Sequence, residues 1–220
     1  MSEAQVHYWT ASDGIQLAWH ELGDGQPVVL LHGLFSDANM NWIKFGHAAR
    51  IAAGGLRVIM PDAAQLGSLP ELGRVRVPVE WLDLNGHVNV QHYLSMYNLT
   101  SDTLLELLGI SGDWVRREQL GLVDLEHHTW FQRELHAGEE VALYVRFMGR
   151  DAKRVHGLMF MVNVAAAQVA SAIEFMSLAV NLATRRAAPL PAAVAERIDA
   201  LLSDHAALGW TAPCSGAIAL

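Results

Sequence analysis

The stretch Glu80-Trp81-Leu82-Asp83-Leu84-Asn85-Gly86-His87-Val88-Asn89 decides how most of the chain folds. Before it, over residues 74–80, Val75, Val77 and Val79 alternate with charged or proline positions, the two-residue period of a strand. Within it, residues 83–86 carry turn chemistry. After it, Tyr93, Tyr97, Thr100, Leu104 and Leu108 recur every three or four residues, which predicts one helix over 90–108 with an apolar stripe fit to lie on a sheet and Gly109 as its stop. Four strand-like runs follow at about 121–134, 140–148, 154–162 and 168–182. The connections at 136–138 and 149–152 are short enough for antiparallel hairpins, with 165–167 a third turn. A strand, a helix and a four-strand meander form an α+β pattern. Pro189 and Pro191 open a last amphipathic helix to about Ala207, carrying Val194, Ile198, Leu201 and Leu202, before an irregular tail.

Upstream the pattern differs. Runs at 6–10 and 15–22 flank the turn Ser12-Asp13-Gly14, and 27–31 is a continuous apolar run typical of a buried strand. A helical spacing over 40–53 (Ile43, Ala48, Ile51) stops at Gly54-Gly55 and gives way to the apolar run 56–60. Residues 62–73 (DAAQLGSLPELG) are small, punctuated by Gly and Pro, and without period. The expected organisation is therefore a segment over 1–66, a junction over 67–73 and a second domain over 74–220. A few mainly parallel strands with one helix leave both faces of the first sheet poorly covered, so this segment should be marginal or packed on something else.

The 220 residues are 52% hydrophobic and 17% charged, enough apolar content for a sizeable core. A net charge of -8 and a pI near 5.7 exclude a general basic footprint for nucleic acid or an anionic membrane. The one cysteine, Cys214, allows no internal disulfide and sits in a tail without a partner for thiol catalysis. The first residues lack a basic region and apolar core, and no apolar run reaches the ~18 residues of a membrane span. The expectation is a cytoplasmic protein.

Chemistry concentrates in the quoted stretch. A carboxylate, an amide and an imidazole (Asp83, Asn85, His87) share a tight turn before a helix, where free backbone N–H groups and the helix dipole favour negative charge. Such a site can stabilise a carbonyl oxygen and activate water. Equally, Asp83 or Asn85 can simply cap the turn and helix.

The pattern Trp81-x-Asp83-x-Asn85-Gly86-His87-x-Asn89 with Tyr93-Leu94 resembles the signature of hotdog-fold thioesterases of the 4-hydroxybenzoyl-CoA thioesterase type, and is most similar to those acting on betainyl-CoA in carnitine metabolism. The likeness extends over 74–220 through Glu126-His127-His128, Asp151-x-Lys153-Arg154-x-His156 and Arg186-Ala187-Ala188-Pro189. It implies an antiparallel sheet wrapped around a central helix. It also implies hydrolysis of a small acyl-CoA thioester, with Asp83 as nucleophile or general base and the helix N-terminus at Gly86, Val88 and Asn89 as oxyanion site. No cofactor is implied, and the assembly is a homodimer or dimer of dimers.

Glu126 and His128 lie two apart on one strand, so they share a face while His127 points away. With Tyr93 and Tyr97 they are candidates for acyl-group binding, where a trimethylammonium head would want aromatic faces and a carboxylate; the alternative is an ordinary solvated edge. Arg150, Lys153 and Arg154 form a small basic cluster at a hairpin that can hold CoA phosphates, or serve only solubility. Trp81, Trp130 and Phe131 read as core or interface residues. The 11 histidines show no metalloprotease or zinc-finger spacing, so no metal is expected.

Residues 28–34, with His32-Gly33 after a buried strand, and Arg57-Val58-Ile59-Met60-Pro61-Asp62 resemble the opening of α/β-hydrolases. No Gly-x-Ser-x-Gly elbow follows, so this piece reads as an incomplete hydrolase-like lobe without a nucleophile. Two other functions stay open: a non-catalytic hotdog module that binds acyl-CoA, and a serine-type hydrolase.

Overall fold

The computed structural model describes residues 4–10, 16–31, 38–62, 69–166, 168–208, 210 and 212–220. The chain forms two compact units, Met1–Ser68 and Leu69–Leu220. Among the described residues no helix is long and apolar enough to cross a membrane.

The first unit contains strands β1 (Gln5–Thr10), β2 (Gln16–Leu22), β3 (Gln26–Val29) and β4 (Leu56–Asp62), with a π-helical turn Asn39–Ile43 and helix α1 (His47–Ala53) between β3 and β4. The sheet order is β1-β2-β4-β3. Among the described residues only β3 and β4 are parallel; β1 pairs β2 and β2 pairs β4 antiparallel, so the expected mainly parallel sheet is corrected. Its core is small: Leu22, Ala38, Ala48, Val58 and Met60. The Ser12-Asp13-Gly14 and His32-Gly33 turns lie outside the described residues.

The second unit begins with β5 (Glu71–Arg76), earlier than the valine alternation suggested, because the bond from Val145 N to Pro70 O and the pairing of Glu71 with Tyr144 carry the strand upstream. The expected single helix is two, α2 (Gln91–Leu99) and α3 (Ser101–Leu107). The break is at Thr100, whose hydroxyl donates to Met96 O at 3.3 Å and Tyr97 O at 3.1 Å and competes with the helical ladder. The stripe itself is buried: Tyr93, Met96, Tyr97, Thr100, Leu104 and Leu108 all face inward. Gly109 takes φ +78° at the stop, as a left-handed cap requires. A short α4 (Gly112–Glu118) follows, capped by Ser111, whose hydroxyl accepts from Trp114 N at 3.2 Å.

Strands β6 (Leu120–Phe131), β7 (Glu140–Arg150), β8 (Arg154–Asn163), β9 (Gln168–Asn181) and the short β10 (Arg186–Ala187) complete the sheet before α5 (Ala192–Ala206). All pairings are antiparallel, but the sheet is not a meander. β6 pairs with β9, while β9, β8, β7 and β5 lie in that order. No hairpin forms at 136–138, because backbone groups of the β6–β7 connection bond elsewhere: Val88 N to Leu135 O, Val77 N to Glu139 O and Gly138 N to Val77 O, each 2.8–2.9 Å. The stripe of α2 and α3 packs on Leu143, Val145, Phe147, Met159, Met161, Ile173 and Phe175, each at most 2% exposed. Each such side chain contributes ~1.5–3 kcal/mol of burial, which sets the helix firmly on the sheet.

The opposite face of the sheet is covered by the C-terminal residues. Arg146 stacks on Trp210 at 3.9 Å and donates to the carbonyls of Trp210 and His205. Glu174, fully buried, accepts from His156 Nε2 and from Ser215 N, both at 2.8 Å. Ligand atoms of His156, Glu174 and Cys214 lie within 4.8 Å of one another, a grouping that sequence spacing could not show.

Candidate active site

The site grows from the closure of residues 81–89 into a tight loop. Asp83 N donates to His87 O at 2.9 Å and Asn89 N to Trp81 O at 2.8 Å, and Leu82 bridges Val88. Gly86 at the tip takes φ +84°, a conformation side chains resist. The Asp83 carboxylate accepts from Asn85 N at 2.7 Å and Asn85 Nδ2 at 3.3 Å, with His87 Nδ1 at 3.7 Å. Burial opposes its charge, but the bonds from Asn85 and the field of His87 outweigh that, holding the carboxyl below the usual aspartate value. It is a fixed anion at neutral pH.

Asp83 therefore caps the turn and not the helix. Asn89 caps α2, its Oδ1 accepting from Gln91 N at 3.2 Å. The expected oxyanion donors are corrected for the same reason: Gly86 N donates to Asp83 O, Val88 N to Leu135 O and Asn89 N to Trp81 O, so all three are occupied. Among the described residues Val90 N, at the entrance to α2, has no such acceptor.

Asp83, His87, Val88, Asn89, Val90 and Tyr93 form one side of an open depression of about 340 Å³, and Phe131, Gln132, Arg133 and Glu134 form the other. Tyr93 is fixed by Phe131, edge to face with centroids 5.0 Å apart, and by its hydroxyl donating to Arg133 O at 3.3 Å. His87 Nε2 reaches Glu134 at 4.0 Å. Sequence reading missed Arg133 and Glu134, which lie outside any motif and reach the site because Gln132 N and Arg133 N both bond Ala170 O, turning the chain there.

The expected pairing of Glu126 with His128 beneath the helix is reversed. The register of β6 on β9 shifts between Asp124 and Glu126, a β-bulge that adds one residue and switches which side chains face α2. His127 meets the ring of Tyr97 at 5.0 Å, whereas Glu126 and His128 are exposed, His128 lying 4.4 Å from Trp130. Asp124 takes the inner position intended for Glu126: its Oδ2 is 3.1 Å from His127 Nε2 and its Oδ1 accepts from Ser177 Oγ at 2.6 Å. Of the four expected acyl-binding residues, Tyr93 and Tyr97 line the helix–sheet seam and the other two do not.

The basic cluster is also elsewhere. Arg150 is paired with Asp199 at 2.7 Å and Arg154 with Asp151 at 2.8 Å, and Asp151 further accepts from Lys153 N and Arg154 N at 2.7 Å. These residues sit at the far end of β7, on the order of 30 Å along the strand from its start near Val77 at ~3.3 Å per residue. Within one chain they do not join the depression.

Residues 77–198 match the thioesterase-like superfamily. A betainyl-CoA thioesterase of Pseudomonas aeruginosa is 33% identical over 131 residues, covering 59% of this chain and 81% of that protein. An L-carnitine dehydrogenase/betainyl-CoA thioesterase of a Rhizobium species is 28% identical over 60% of this chain, which spans only 27% of that longer protein. In fold, the chain is similar to SAV2348 of Staphylococcus aureus, solved in complex with CoA (TM-score 0.61, 22% identity, 69% of this chain and 96% of that one). It is also similar to Slr0204 of Synechocystis, a 1,4-dihydroxy-2-naphthoyl-CoA thioesterase (TM-score 0.52, 18% identity, 59% and 95%).

Proposed function

Because the chain belongs to the thioesterase-like superfamily and is an acyl-CoA thioesterase, its second unit a hotdog fold, we propose that Asp83 drives the hydrolysis from the mouth of the depression it shares with the start of α2. The observation that carries this reading is the placement of a fixed carboxylate and the open Val90 N–H around one cavity.

A thioester carbonyl seated there has its oxygen toward Val90 N–H and the positive end of α2, where developing negative charge is stabilised. Asp83 takes a proton from water as the water oxygen bonds to the carbonyl carbon. Collapse of the tetrahedral intermediate breaks the C–S bond, and the proton passes to the departing CoA sulfur. Direct attack by Asp83, giving an acyl anhydride that water then opens, is the alternative course for the same residue. Asn85 holds the carboxylate and His87 adds a favourable field beside it. Neither course uses a cofactor. The substrate is a small acyl-CoA of the betainyl kind, and the working form is a homodimer.

The test is Asp83→Asn, which keeps an oxygen for Asn85 N and removes the base. General-base assistance is worth on the order of 10²–10⁴ in rate, so thiol release from acyl-CoA should fall by that factor while the variant stays folded and still binds CoA thioesters. A folded variant within about tenfold of the parent would remove Asp83 from this role.

A further inference from the structure

A polar constellation on β6 plays no part in the mechanism. Asp124 lies on the helix-facing side of β6, bonded by His127 and Ser177 and approached by the Tyr97 hydroxyl. A carboxylate is out of place in a helix–sheet interface that includes Phe175, Ile173, Met159 and Met96. It is not sealed: the Asp124 side chain is 35% exposed and that of His127 23%. Tyr97 follows Tyr93 by one turn of α2, about 6 Å along the axis. His127 follows Phe131 along the same inner face of β6. The seam that starts at the Asp83 depression therefore runs along Tyr93 and Phe131 toward Tyr97, His127 and Asp124.

Resting on the acyl-CoA reading above, we propose that Asp124, with the rings of Tyr97 and His127, is the subsite that recognises a quaternary ammonium head on the acyl group. Three protein donors already occupy this carboxylate, so it has little to offer a ligand that needs a hydrogen-bond acceptor. Its full negative charge remains. A trimethylammonium group has no N–H to satisfy, gains from charge alone and prefers aromatic faces. A primary ammonium would require lone pairs that Asp124 has committed elsewhere. The same bonds hold the carboxyl ionised against the cost of its partial burial.

The experiment compares ligands that differ only in charge. Non-cleavable ketone analogues of CoA thioesters carry either a trimethylammonio head or its tert-butyl isostere, each at two spacings from the carbonyl, and their dissociation constants are measured by calorimetry. The wild-type chain should prefer the cationic member of at least one pair by tenfold or more. Asp124→Asn should bring that ratio close to one, Asp124→Glu should recover part of it, and Glu126→Gln, on the opposite face, should leave it in place. A wild-type ratio near one at both spacings, no binding of either member, or a ratio that survives Asp124→Asn overturns the proposal. So does a ratio that Glu126→Gln abolishes. Thiol release from the cleavable thioesters is scored separately: its absence counts against the hydrolytic reading, whereas binding reports on the subsite alone.

Discussion

Glu174→Ala tests whether the buried polar cluster on the outer face of the sheet holds the C-terminal residues down. The carboxylate is 0% exposed and accepts from His156 Nε2 and Ser215 N at 2.8 Å each. Its removal leaves two donors in a dry site, at ~1–3 kcal/mol each, and empties the volume of the side chain, so the second unit should lose about 3–5 kcal/mol. At about 2–4 °C per kcal/mol for a domain of ~150–250 residues, its melting temperature should drop on the order of 10 °C near neutral pH. The pH dependence has a definite sign. Burial works against the charge, but the bonds from Ser215 and His156 outweigh it, so the folded-state value lies below the ordinary 4.5. The contribution is therefore present above pH 4.5 and lost as pH falls through the folded-state value, and the gap between the two proteins should narrow in acid. Thermal unfolding followed by circular dichroism at neutral and acid pH reads both quantities, and amide exchange at Ser215 reads the tether. A variant melting within about 2 °C of the parent at neutral pH, or a gap indifferent to pH, would show that Glu174 does not hold the C-terminal residues in place.

Two other outcomes follow from packing. Gly157→Ala puts a methyl 2.5 Å from Phe175 Cζ and 3.2 Å from Arg146 O, and Phe175 is only 1% exposed, so about 1–3 kcal/mol should be lost in urea unfolding; an unchanged midpoint would show that the ring yields freely. Among the described residues β6 pairs only with β9 and carries exposed Val123, Leu125 and Phe131, which fits a second copy along that strand. Light scattering on the eluting protein should give twice the chain mass, a Leu125→Asp, Phe131→Asp double variant should shift it toward one, and a monomeric parent would contradict the homodimer.

What the sequence showed, it showed through local periodicity. Val75 and Val77 before Asp83, the stripe from Tyr93 to Leu108 and Val194 with Ile198 each mark the buried side of the chain, and each is buried or partly buried here, whereas Val79 falls in a 3-10 turn beyond the end of β5 and is 70% exposed. Ser111, with Asp113 in the following turn, is a cap signal that could have revealed α4. Partners distant in sequence were another matter. That β6 should pass over β7 and pair with β9 depends on where the connection's N–H and carbonyl groups find bonds, at Val77, Val88 and Ala170. No spacing within 120–140 encodes that. In the same way, the helix-start pattern at Gly86, Val88 and Asn89 was visible, but not that their N–H groups would be used to close the loop.

The bulge at Leu125 has the widest consequence for the site. Side chains along a strand alternate strictly, so one inserted residue exchanges the two faces for everything beyond it. Upstream of it, Leu122 packs on the core and Asp124 meets Ser177 from within; downstream, His127 and Phe131 face Tyr97 and Tyr93. In a regular strand continuing from Asp124, the inward positions would be Glu126, His128 and Trp130, Phe131 would leave the wall of the Asp83 depression, and Tyr93 would lose its edge contact. The far wall of the Asp83 depression and the meeting of Asp124 with His127 thus have one cause. Alternation alone places Glu126 and His128 under the helix, where the bulge instead brings Asp124 and His127.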